Sequence, residues 1–290
     1  MGERVYLDQN VLMAILKNER PGLMDHIKCF KEDAVVFPYS PAHIEEVAII
    51  PRECEDATLA GERVNENLQL IEEISDRWEY LPALGDVGPS RLAQEDPREC
   101  MKRVVDGYDL TLSAEEIERF QMSFKSAAAF EQVQQEFGTN LLAGPGVPLH
   151  ENIRNDIGIE VKRVSNLTEA MLFADSKVQD GLARKLWNYP SWNLDTLPKG
   201  DDLLACHKTR EVVVNLVLAY LEEIGYRADD FDKYRSRMHD VSHAIYACAA
   251  SVFVTGDKRY RQRVKATYHF LQIPTRVLSS DEFLACTSLA

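Results

Sequence analysis

At 290 residues, 45% of them apolar and 28% charged, the chain is long enough to bury a sizeable core and too apolar for disorder. A net charge of −14 argues against a broad basic grip on nucleic acid, and six cysteines without a CxxC pair suit reduced thiols in a cytoplasm. No apolar run approaches the ~20 residues of a membrane span and no charged-then-apolar signal opens the chain, so a soluble, cytoplasmic protein without membrane contact is expected.

In chain order, Arg4–Leu7 reads as a short strand that ends at Asp8, and Val11–Leu16 as a helix. Ala34–Phe37 reads as a second strand. Ser40 then suits a helix N-cap and Pro41 a first helical position, which puts His43, Glu46 and Val47 on a helix that ends at or before Pro51. Leu59, Val64, Leu68, Ile71 and Ile74 predict an amphipathic helix over 57–74. From about Gly85 to Tyr226 the pattern is mainly helical, as at Ser113–Phe137 and Leu203–Ile224, with turns such as Gly144-Pro145-Gly146. Alternation returns at the end with a helix opening at Asp240, a strand at Val252–Thr255, a helix from Lys258 and a strand at Thr275–Leu278. Parallel strands need crossovers, so the expected fold is α/β with a central, mainly parallel sheet. Its core is expected from 1–84 and 227–290, with 85–226 an all-helical insertion.

Ligands in open parallel sheets bind beyond the carboxyl ends of the strands. Asp8 follows one strand directly and Asp257 follows another after Gly256; Glu46 and Asp240 lie on helices that lead to the same edge. Four carboxylates gathered there repel one another unless a hard cation such as Mg²⁺ or Mn²⁺ joins them. Such ions acidify water and polarise phosphate, which makes phosphodiester hydrolysis the natural chemistry. Each acid also has a structural reading: Asp8 and Asp240 as helix caps, Asp257 as a turn residue.

Four segments carry a resemblance. VYLDQNVLMAIL, YSPAHIEEVA, HDVSHAIYACAA and VFVTGDKRY resemble, in order and spacing, the acid-bearing segments of PIN-domain nucleases, which include VapC-type toxins and rRNA-processing nucleases. The resemblance covers about the first 50 and last 60 residues. It implies a three-layer α/β/α sandwich and a metal-dependent endoribonuclease, with a toxin or defence role. Asp8, Glu46, Asp240 and Asp257 would be metal ligands, Mg²⁺ or Mn²⁺ the cofactor, and RNA the partner, although DNA offers the same phosphodiester. Asn10, Thr255, Ser40 and His43 fall on supporting positions, His43 standing where the family has Thr. An antitoxin or other protein would dock on the insertion.

Lys258, Arg259, Arg261, Arg263 and Lys265 follow Asp257 without an intervening acid and are expected to meet phosphates, as are Lys233, Arg235 and Arg237 upstream. His239 and His243 have an i,i+4 spacing that suits zinc, yet no HExxH surrounds them, and they read as ordinary helix histidines. Asp201, Asp202 and His207 read as residues of a helix start, and Trp78, Trp187, Trp192 and Tyr189 as packing aromatics. Two rivals remain. A HAD-type phosphatase would use Asp8 as nucleophile but needs an acid where Asn10 stands, and a non-catalytic PIN-like module would leave the acids idle.

Overall fold

The computed structural model describes residues 2–82, 88–107, 159, 164–187, 189–227 and 234–289. Three short strands, β1 (Val5–Leu7), β4 (Val252–Val254) and β5 (Arg276–Leu278), form a parallel sheet in the order β1-β4-β5. Register pairs Leu7 with Val254 and Val254 with Leu278, so all three strands finish at one edge. Strands β2 (Trp78–Leu81) and β3 (Arg91–Gln94) form a separate antiparallel pair. A single parallel bridge, Arg4 to Val36, is what remains of the strand expected at Ala34–Phe37, and a second bridge joins Tyr39 to Glu79.

The two faces of the sheet explain why such short strands hold. Tyr6, Phe253 and Val277 point into one core, while Val5, Leu7, Val252 and Val254 point into another, as the period of two requires. The second core is closed by α1 (Gln9–Leu16), α2 (Leu23–Glu32), α3 (Pro41–Glu53) and α4 (Ala57–Ser75), through Val11, Ile27, Ile44, Val47 and Leu68. α5 (Pro97–Gly107) packs on α3 and α4. The first core is closed by α9 (His207–Glu223), α10 (Tyr234–Ala247) and α11 (Lys258–Leu271), and the shorter helices α6 (Glu169–Leu172), α7 (Ser176–Leu186) and α8 (Gly200–Leu204) add Leu172, Leu182 and Leu203 to it. α12 (Ser280–Leu284) follows β5. The fold is therefore mixed α/β, a small parallel sheet with helices on both faces. Among the described residues no helix is long and apolar enough to cross a membrane.

Several expectations need correction. The stretch 85–226 is not all helical, because β3 lies within it and pairs with β2. The helix expected over Leu203–Ile224 is broken at Ala205 and Cys206 into α8 and α9. α3 runs through Pro51 to Glu53, since a proline in the last turn removes a single hydrogen bond. Ser113–Phe137 and Gly144-Pro145-Gly146 lie outside the described residues, as does Lys233; Arg235 and Arg237 lie on α10. Trp187 is 87% exposed and does not pack, whereas Trp192 packs against the first core.

Candidate metal centre

The register places Asp8 and Thr255 side by side, each one residue beyond its strand. The backbone ladder continues past the strand ends: Asp8 N–H donates to Val254 O at 2.9 Å, and Thr255 N–H to Leu278 O at 3.0 Å. The side chains close the same seam. Thr255 Oγ1 donates to Asp8 Oδ2 at 2.6 Å and Asn10 Nδ2 to the same oxygen at 2.5 Å. Asn10 Oδ1 accepts Gly256 N–H at 2.8 Å, and a Cβ at Gly256 would lie 3.0 Å from that oxygen, so a side chain there would push the seam apart. Oδ2 of Asp8 is thus held in place, and Oδ1 faces the cleft toward His243, 3.8 Å from Nε2.

α3 begins with the Ser40 cap and Pro41. Ser40 N–H donates to His43 Nδ1 at 3.1 Å, and His43 Nε2 lies 2.7 Å from Leu7 O. A carbonyl only accepts, so Nε2 carries the proton and Nδ1 does not, which fixes His43 as one neutral tautomer. Burial, with the neighbouring His243, accordingly pushes its pKa well below the usual range. One turn further on, Glu46 enters the cleft with 30% of its side chain exposed.

His243 completes the group. It is fully buried on α10, with Nε2 2.8 Å from Glu46 Oε1 and Nδ1 2.8 Å from the Tyr6 hydroxyl. Tyr6 in turn lies 2.5 Å from Ser40 Oγ and 3.4 Å from His43 Nδ1. Ligand atoms of Asp8, Glu46 and His243 all lie within 4.8 Å of one another, a spacing one cation can span. The sequence reading passed over His243, because its value depends on Tyr6 and Glu46, which are 237 and 197 residues away.

The electrostatics show what the group lacks. Burial raises the Asp8 carboxyl, against the pull of His243 and with the push of Glu46. Burial likewise raises Asp240 well above the carboxylate range, with Asp8, Glu46 and Asp257 adding to it and Arg263 opposing. Burial opposes charge on His243, but the Glu46 hydrogen bond and the charges of Asp8, Glu46 and Glu45 outweigh it and raise its pKa. These are the shifts of a site with excess negative charge and too little positive charge to balance it.

Asp240 does not open its helix: α10 begins at Tyr234, so the residue sits in the helix interior and has no capping duty there. The Tyr260 hydroxyl donates to the Asp240 carbonyl and ties α11 to α10 at this point. Asp257 does the structural job open to it, capping α11 by accepting Tyr260 N–H at 2.8 Å. It reaches the cluster through its charge on Asp240. Arg263 is 4% exposed, with Nη1 on the Arg227 carbonyl at 2.5 Å, so it steadies Asp240 and the core and cannot serve on a surface that meets phosphate. Lys258 and Arg259 are exposed at the start of α11, while Arg261 and Lys265 lie 4.0 and 3.8 Å from Glu282. Asp201 and Asp202 are exposed on α8, apart from buried His207, which bonds Ser90 Oγ at 2.8 Å. Comparison with family models, curated proteins and solved structures returns no match.

Proposed function

We propose that this chain is a divalent-metal-dependent phosphodiesterase, an endoribonuclease of PIN-like architecture, with Asp8, Glu46 and His243 as the inner ligands and Asp240 beside them. The observation that carries this reading is the convergence of Asp8, Glu46 and His243 within 4.8 Å at the carboxyl edge of a parallel sheet. The donor set fits Mn²⁺ better than Mg²⁺, because imidazole nitrogen suits the transition metals whereas Mg²⁺ prefers oxygen and retained waters. A bound cation would supply the acidification of water and the neutralisation of charge on the phosphate.

The chain's own residues supply the rest. Thr255 and Asn10 orient Asp8, so that one carboxylate oxygen faces the cleft. With the His243 proton on Nδ1 and donated to Tyr6, Nε2 is left as a lone pair toward the acids. Tyr6 can then donate to Ser40, and His43 is fixed by Ser40 and Leu7. Lys258 and Arg259 lie exposed beside Asp257, where they can steer the polyanion toward the cleft. An antitoxin docking on 85–226 belongs to the same proposal.

The phosphatase rival is disfavoured by Asn10, whose amide donates to Asp8 and which has no acid to offer a leaving group. Asp8→Asn is expected to lower Mn²⁺-dependent cleavage of a structured RNA by about 10³-fold or more while circular dichroism is unchanged. Wild-type rates in a folded Asp8→Asn protein would end the metal-centre reading.

A further inference from the structure

A cavity of about 590 Å³ opens at the other end of the sheet, between the residues that lead into β1, β4 and β5 and the first turn of α9. Three arginines line it, Arg4, Arg210 and Arg276, against one acid, Glu3. In a chain of net charge −14, a lining with three arginines to one acid is an exception that calls for a cause.

Arg210 supplies the most pointed observation. It is 1% exposed, and a buried guanidinium ordinarily sits against a carboxylate, because an unpaired buried charge costs several kcal/mol. Here Nη2 donates to the uncharged Ser90 Oγ at 3.0 Å, and Nε is buried without a partner. Among the described residues no carboxylate pairs with it. Arg4 and Arg276, which also line the cavity, each place one Nη1 on a main-chain carbonyl, of Ala249 at 3.4 Å and Leu289 at 3.0 Å.

We propose that this cavity binds a small phosphate monoester. An anion answers the buried Arg210, which meets no carboxylate among the described residues, and planar guanidinium forks match phosphate oxygens in pairs. The volume is larger than a bare phosphate needs and lies in the range of roughly 300–1,000 Å³ typical of small-molecule sites, so the organic part of the ester fills the remainder. The pocket and the metal centre lie at opposite ends of the strands, and this proposal does not depend on the nuclease reading.

The test is thermal unfolding and ³¹P line broadening of the full chain in excess EDTA, so that no metal at Asp8 can recruit phosphate. The probes are inorganic phosphate and glucose 6-phosphate, with glucose as the uncharged control. Wild type is expected to gain about 5 °C in Tm at 100-fold excess over Kd, with the ester binding more tightly than inorganic phosphate and glucose giving no shift. Arg210→Met is expected to abolish the shift and, without ligand, to melt at or above the wild-type Tm, because it removes an unpaired buried charge. Exposed Arg276→Gln is expected to fold normally and to weaken binding about tenfold, which keeps the test decisive if Arg210→Met fails to fold. Equal shifts in wild type and Arg276→Gln, or no ³¹P broadening in wild type, would overturn the proposal. Inorganic phosphate matching the ester would overturn the monoester assignment.

Discussion

Among the described residues two clusters of buried and half-buried acids stand out, and they differ in how their charge is met. Glu79 on β2, Glu95 in the following loop and Cys100 on α5 have ligand atoms within 4.8 Å of one another, as Asp8, Glu46 and His243 do. In the first, Arg103 Nη2 already sits among them, 2.8 Å from Glu79, 2.7 Å from Glu95 and 3.3 Å from Cys100 Sγ. Burial also pushes Glu79 up to about 8, so the carboxyl keeps a proton at neutral pH, while its partners hold Glu95 low. That cluster is neutralised by an arginine and a proton. At Asp8 the cations at hand are His243, and Arg263 acting on Asp240, and the carboxyls there remain strained upward. Similar spacing therefore does not mean a similar site: the first centre is held by a guanidinium that keeps its protons, the second by an imidazole that can give one up and become a ligand.

The largest effect that would test this contrast is on metal binding. Wild type is expected to bind Mn²⁺ with ¹⁴N modulation in the electron spin echo, to prefer it to Mg²⁺, and to lose about 100-fold in Mn²⁺ affinity in His243→Ala. Mn²⁺ bound without nitrogen coupling would remove His243 from the ligand set yet leave the carboxylates. No Mn²⁺ binding at all would make the two clusters alike.

The second effect is on stability against pH. A folded pKa raised above its unfolded value contributes stability that is complete below the ordinary carboxylate range, ~4.3, and is lost as pH rises through about 8. Metal-free wild type should thus lose stability across that window, and Glu79→Gln should flatten the curve by up to about 5 kcal/mol in urea titrations. An unchanged slope would mean that Arg103 neutralises Glu79 without help from a proton.

The smallest effect concerns the seam. Thr255→Val removes the hydroxyl that donates to Asp8 and is expected to weaken Mn²⁺ binding about tenfold, read by calorimetry, with little change in Tm. Affinity equal to wild type would show that Asn10 alone orients the carboxylate.

The sequence made the strand ends legible because they depend on neighbours: Asp8 after Val-Tyr-Leu, Ser40-Pro41 as a helix start, and the step from Val254 to Asp257. Arg263 was misplaced because the basic run was read as charge rather than as a helix face. Tyr260, Val264, Thr267 and Leu271 mark the buried side at spacings of three and four, and Arg263 falls beside it. His243 was weighed only against His239, four residues off, when its partners come from β1 and α3. The β2–β3 pair, four residues a strand, left too short a pattern to separate from the helical text around it.

The Thr255 hydrogen bond that holds Asp8 joins residues 247 positions apart, and those of His243 reach back 237 and 197. At translation rates of about 5–20 residues per second, Asp8 leaves the ribosome on the order of tens of seconds before its partners exist. During that interval the cleft cannot assemble, however well the N-terminal helices have folded. On the function proposed above, the enzyme would be silent while it is being made, and its own RNA template would be spared until the last strands come in.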